Sequence, residues 1–121
     1  MHKPYLIDGF KFDLRIYVLL AGVNPLRIFL YKEGLARFAT VPYESPNPSN
    51  LDNLFMHLTN YAINKDNKGF IKNMSETVDD VGSKRSFTSV LKRITADFGE
   101  ARCEKVLTDI KDLIIKSLCI A

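Results

Sequence analysis

Residues 10–20, FKFDLRIYVLL, alternate with a period of two. A strand sends successive side chains to opposite faces. Phe10, Phe12, Leu14, Ile16, Val18 and Leu20 therefore define a core face, and Lys11, Asp13, Arg15 and Tyr17 the other. The second face carries a cation, a carboxylate and a second cation in a row, roughly 6.6 Å apart at about 3.3 Å per residue. That spacing suits a row of phosphates or metal-bound groups. It equally suits a half-exposed antiparallel strand with a solvated polar face, which on pattern alone is the commoner outcome.

The neighbouring residues extend this strand into a sheet. Residues 5–7 start a short strand that ends in an Asp8-Gly9 turn, and residues 10–21 form the long alternating strand. Asn24-Pro25 marks a second turn, and residues 26–31 are strongly β-prone. Lys32-Glu33-Gly34 reads as a hairpin loop before a third strand over 35–41, which completes an antiparallel meander. Residues 42–50 hold three prolines and form a loop. Residues 51–58 read as a short helix or turn, 63–71 as a polar loop, and 73–86 as a surface excursion.

The period then changes. Phe87, Val90, Leu91, Ile94 and Phe98 recur at helical spacing, with Ser86 as N-cap and Gly99 as stop. A second helix over 100–118 carries a stripe of Val106, Leu107, Ile110, Leu113, Ile114 and Leu118. Both stripes are read as core. The fold class is α+β: a β-meander, a long loop and two amphipathic helices.

Composition narrows the function classes. With 46% apolar and 26% charged residues over 121 positions, the chain is globular, not disordered. A net charge of +3 is too small to imply nucleic acid and fits an acidic protein partner. No apolar run is long enough to span a membrane. Cys103 and Cys119 would lie about 24 Å apart on one helix, too far to bridge, and fit buried thiols in a reducing compartment. The early entry into strand residues is read as the mark of a fragment or truncated isoform of a longer protein.

Lys11, Asp13 and Arg15 share a face, Arg37 lies on a nearby strand, and Thr59, Asn60, Tyr61 and Lys65 follow the next loop. Four cations, a carboxylate and several hydrogen-bonding groups suit a polyphosphate, because cations neutralise a transferring phosphoryl group. A carboxylate at the edge can bind a ribose hydroxyl, an adenine amine or hydrated Mg²⁺. No Walker loop, Gly-x-Gly-x-x-Gly motif or His/Cys cluster is present. His57 reads as a packed or capping histidine.

Four ordered stretches resemble the tubulin tyrosine ligase-like family, with its glutamylating branch most similar. They are PYLIDGFKFDLRIYV from Pro4, PLRIF from Pro25, GLARFAT from Gly34 and FMHLTNYAINK from Phe55. The resemblance implies part of an ATP-grasp ligase. Such an enzyme uses ATP to convert a carboxylate of an acidic tubulin tail to an acyl phosphate, which the amino group of free glutamate attacks. It implies that Lys11, Asp13, Thr59 and Asn60 bind nucleotide, and that Arg15 and Arg37 face the reacting groups. Arg37, Tyr61 and Lys65 would contact the incoming glutamate. Ala62 stands where the family often has serine, which bears on substrate choice.

The resemblance also implies a partial catalytic domain over residues 1–121. The N-terminal subdomain and the C-terminal metal-binding strand with its Glu-x-Asn pair would lie outside it, so ligands for Mg²⁺ are expected beyond this chain. The expected partners are microtubules, acidic tubulin tails and free glutamate, with neither nucleic acid nor membrane. The expected location is the cytoplasm, at the microtubule cytoskeleton and extending to the cilium or basal body, and the fragment alone is expected to be inactive. Two other readings stand beside this one. One is a non-catalytic module binding acidic tails or nucleotide; the other is a glycine or tyrosine ligase of the same family.

Overall fold

The computed structural model describes residues 3–70 and 82–119. Two long strands, β1 (Phe12–Val23) and β2 (Leu26–Phe38), form an antiparallel ribbon joined through a cis Asn24-Pro25 peptide. A short strand, β3 (Lys84–Ser86), pairs antiparallel with β2 and completes a three-stranded sheet of order β1-β2-β3. Two single-turn helices, α1 (Leu54–His57) and α2 (Tyr61–Asn64), precede it. Helices α3 (Phe87–Phe98) and α4 (Glu100–Cys119) follow. The α+β class and the order of sheet, loop and two helices are as the sequence predicts.

The strand bounds differ in instructive ways. Lys32-Glu33-Gly34 is no hairpin, because β2 runs straight through it. Between the pairs Ile16↔Gly34 and Val18↔Leu30 the register shifts, so β2 bulges against β1. A Cβ on Gly34 would stand 2.5 Å from the Arg15 carbonyl oxygen. The glycine therefore serves a close backbone approach, not a turn with positive φ. Residues 5–7 form no strand either; a single bridge joins Ile7 to Phe10. The turn between them holds Asp8 at φ 54° and Gly9 at φ 85°, the signs a type I′ turn requires. The third strand is β3, from the stretch expected to be a surface excursion. Residues 71–81 of that stretch lie outside the described residues.

One sheet face makes the core. Phe12 and Leu14 from β1 pack with buried Ala36 and Phe38 from β2 beneath Val90 and Ile94 of α3, with Ile7 at the edge. Helix α3 has the predicted bounds. The Ser86 side chain accepts the Ser89 N–H at 3.1 Å, and Gly99 leaves the helix at φ 91°.

Helix α4 departs from expectation, for none of its residues is buried. Cys103 and Val106 reach the core, but no described element covers the rest of the stripe, and Leu113 is 66% exposed. Cys119, expected buried, is exposed for the same reason. Val18 and Leu20, expected on the core face, are also exposed, since they lie past the bulge and beyond the reach of α3.

Ion pairs tie the core side together. Arg93 contacts Asp8 at 2.9 Å and Asp97 at 3.4 Å, and Arg85 approaches Asp8 at 3.6 Å. Tyr5 donates to Asp97 at 2.7 Å. Burial first, and then the hydrogen bond to Asp97, push the Tyr5 hydroxyl up to about 12.

Candidate functional site

The face opposite the core carries the polar residues of the alternating strand. Asp13 and Arg37 are register partners. Arg37 grips the carboxylate with both ends of its fork, Nε meeting Oδ1 at 2.9 Å and Nη2 meeting Oδ2. Antiparallel pairing puts directly opposed side chains within reach of one another, so the sheet register itself builds this pair. Burial raises the Asp13 pKa. Hydrogen bonds from Arg37 and Thr59, with the charges of Arg37 and Arg15, outweigh that and hold it below the ordinary 3.8. The hydrogen bond from Asp13, ahead of the opposing effect of burial, keeps Arg37 charged.

Thr59 reaches the pair because its segment is pinned from below. Asn64 is 1% exposed, and its Oδ1 accepts the Thr40 hydroxyl at 2.7 Å. Its Nδ2 donates to the Leu58 carbonyl at 2.8 Å and the Asn60 carbonyl at 3.0 Å. One buried amide thus folds residues 58–64 onto the end of β2, and every polar atom of the knot finds a partner. Lys11 donates to the His57 carbonyl at 2.8 Å, so its ammonium meets the same segment. His57 is a packed histidine, as expected. Its Nε2 lies 2.9 Å from the Asn50 carbonyl oxygen, and its ring meets Tyr43 edge-on.

The structure therefore brings Lys11, Asp13, Arg37 and Thr59 together, with exposed Arg15 near enough for its charge to act on Asp13. Asn60, Tyr61 and Lys65 sit on or beside α2, at the rim. Tyr61 is half exposed and its ring meets Phe70 edge-on at 5.8 Å. Among the described residues, no side-chain bond joins Asn60 or Lys65 to the cluster.

Two residues were missed in the sequence. Asn64 was not distinguished from the other polar residues of its run. Lys84 stands opposite Arg37 across the β2–β3 pair, with its ammonium 4.9 Å from the centre of the Tyr61 ring. Two adjacent cations at 84 and 85 give no strand signal of their own.

Chemically, Lys11, Arg15, Arg37 and Lys84 outweigh the one carboxylate, Asp13, so this face favours an anion. Mg²⁺ does not fit these residues. Both Asp13 oxygens are engaged by Arg37, and no group of three His, Cys, Asp or Glu converges among the described residues.

Comparison with known proteins adds the family. Residues 1–121 match the one described as the tubulin-tyrosine ligase family. Over 118 residues the chain is 55% identical to a probable beta-tubulin polyglutamylase of Tetrahymena thermophila, covering 98% of this chain and 10% of that protein. It is 50% identical over 116 residues to the tubulin polyglutamylase TTLL13 of Mus musculus, covering 96% of this chain and 14% of that protein. Against the tubulin polyglutamylase TTLL11 of Mus musculus the identity is 46% over 118 residues, 98% of this chain and 16% of the relative. The chain thus spans between a tenth and a sixth of the length of these relatives.

Proposed function

The chain belongs to the tubulin-tyrosine ligase family, and from that premise we propose that it forms part of the catalytic domain of an ATP-dependent ligase joining glutamate to glutamate side chains in tubulin tails. One observation carries this reading. Lys11, Asp13, Arg37 and Thr59 converge on one sheet face, in a chain about half identical to proteins named tubulin polyglutamylases. The covering subdomain and the metal-binding strand would come from other parts of the polypeptide.

When bound, ATP supplies the phosphoryl group that activates the acceptor carboxylate as an acyl phosphate. The residues of this chain bind and orient. Lys11, with Thr59 and Asn60, holds the nucleotide. Asp13 stays ionised at neutral pH because its pKa lies below the ordinary carboxylate value, so it acts as an acceptor for a ribose hydroxyl or an adenine amine. Arg15 and Arg37 face the reacting groups, where fixed cations stabilise charge as it develops. Arg37, Tyr61 and Lys65 contact the incoming glutamate. Acidic tubulin tails suit the surplus of cations on this face, and the location follows the substrate, at the microtubule cytoskeleton. Mg²⁺ would take its ligands from residues other than those described.

The test places this segment in the frame of the Mus musculus TTLL13 relative and measures glutamate incorporation into microtubules. Arg37→Ala lowers kcat/KM by about 10²–10³-fold, the scale for removing one charge-stabilising donor. Unchanged incorporation in Arg37→Ala would sink the assignment.

A further inference from the structure

We propose that Lys84 is a carboxylate-contacting residue of this site, set at its rim by Arg85; the identity of the carboxylate rests on the ligase reading above. Residues 84 and 85 are adjacent on β3, so their side chains leave opposite faces of the sheet. Arg85, opposite Ala36, turns to the core side. It is 8% exposed, stacks 4.3 Å over the Phe38 ring, donates to the Gly82 carbonyl at 3.0 Å and approaches Asp8 at 3.6 Å. An arginine held on that many sides fixes the strand. Lys84 turns to the other face, opposite Arg37, with its ammonium over the Tyr61 ring.

The placement has a cost that a merely structural lysine does not explain. Like charges directly opposite each other across a sheet are destabilising. Arg37 is already matched, with both oxygens of Asp13 in its fork. The described contact of Lys84 is to an aromatic face, which holds a cation without neutralising it. An anionic group between Lys84 and Arg37 would offset the repulsion. The compact ammonium of lysine suits a single carboxylate as a point charge. Position favours a carboxylate over the nucleotide phosphates, because Lys84 lies on the Tyr61 side of the cluster and Lys11 lies at the His57 carbonyl. Two sources present that chemistry: the incoming glutamate and the acidic tail of the acceptor.

Binding of a fluorescent tri-glutamate peptide to the full chain tests the proposal, read by anisotropy. Lys84→Met weakens binding about tenfold, the scale of one charge-assisted contact, while Lys84→Arg restores it to within about threefold. Lys32→Met, an exposed lysine at the bulge, changes it by about twofold or less. Displacement of the peptide by free glutamate assigns the contact to the incoming amino acid, and resistance to displacement assigns it to the acceptor tail. Lys84→Met binding as tightly as Lys32→Met overturns the proposal, as does failure of Lys84→Arg to restore binding, or no binding by the unaltered chain. ATP binding is measured in parallel with Lys11→Ala. If the unaltered chain or Lys11→Ala contradicts the nucleotide site while Lys84 still governs the peptide, the ligase reading alone falls.

Discussion

The two ends of the β1–β2 ribbon share a strand pair but have different fates. Between Phe12 and Ile16, alternation is used on both sides: Phe12 and Leu14 pack toward α3, while Asp13 faces Arg37. Past the bulge, apolar residues continue and nothing described covers them. Leu19 is 63% exposed, Val23 77% and Phe29 57%. The same periodicity therefore yields a core in one half and an open apolar ribbon in the other. A helix laid across the strand, not the strand's own pattern, decides burial. The functional face sits at the supported end, where a backing core can hold polar groups in fixed geometry.

The largest contrast between the ends is in stability. Phe38→Ala removes a buried ring from the core and the surface on which Arg85 stacks. It costs about 3–5 kcal/mol in urea unfolding, whereas Val23→Ala at the open end stays within about 0.5 kcal/mol. Equal losses would erase the distinction. A smaller contrast lies in the glycines. A Cβ at Gly34 meets the Arg15 carbonyl oxygen at 2.5 Å, but at Gly22 the nearest atom is 3.4 Å away. Gly34→Ala costs about 1–3 kcal/mol and Gly22→Ala about 0.5 kcal/mol or less, in the same measurement.

The smallest effect is in pH dependence. Asp13 has a folded pKa below its ordinary 3.8. Its contribution is present above that value and is lost as pH falls through the folded pKa. Arg37→Ala removes its principal donor, so stability falls less steeply below 3.8 in this variant. The slope that remains comes from Asp8 and Glu33, which are also lowered. Arg27→Ala, an exposed cation at the open end, leaves the slope unchanged.

Much of this was legible in the residues. Helix α3 follows from five apolar positions bracketed by a serine cap and a glycine stop, and its bounds come out as read. The charged face of β1 follows from period two alone. The Asp13–Arg37 pair was not legible, because which residue opposes Asp13 depends on a register that a bulge resets. That bulge also turned Gly34 into a false hairpin signal, since a glycine demanded by a neighbouring carbonyl looks the same in sequence as one demanded by positive φ. Strand β3 is three residues of long-range pairing with no alternation to announce it. The α4 stripe has core periodicity, but periodicity reports a face able to be buried, not one that is covered.

The central claim is that the supported end of the ribbon, with Lys11, Asp13, Arg37 and Thr59, is a wall of a nucleotide site. Titrating the ¹⁵N-labelled chain with ATP, and following its amide NMR signals, tests this most directly. The account predicts saturable shifts centred on residues 11–15, 37 and 59–60, lost in Lys11→Ala, with residues 18–31 unmoved. Shifts confined to residues 18–31, or no saturable shift at any concentration, would contradict it.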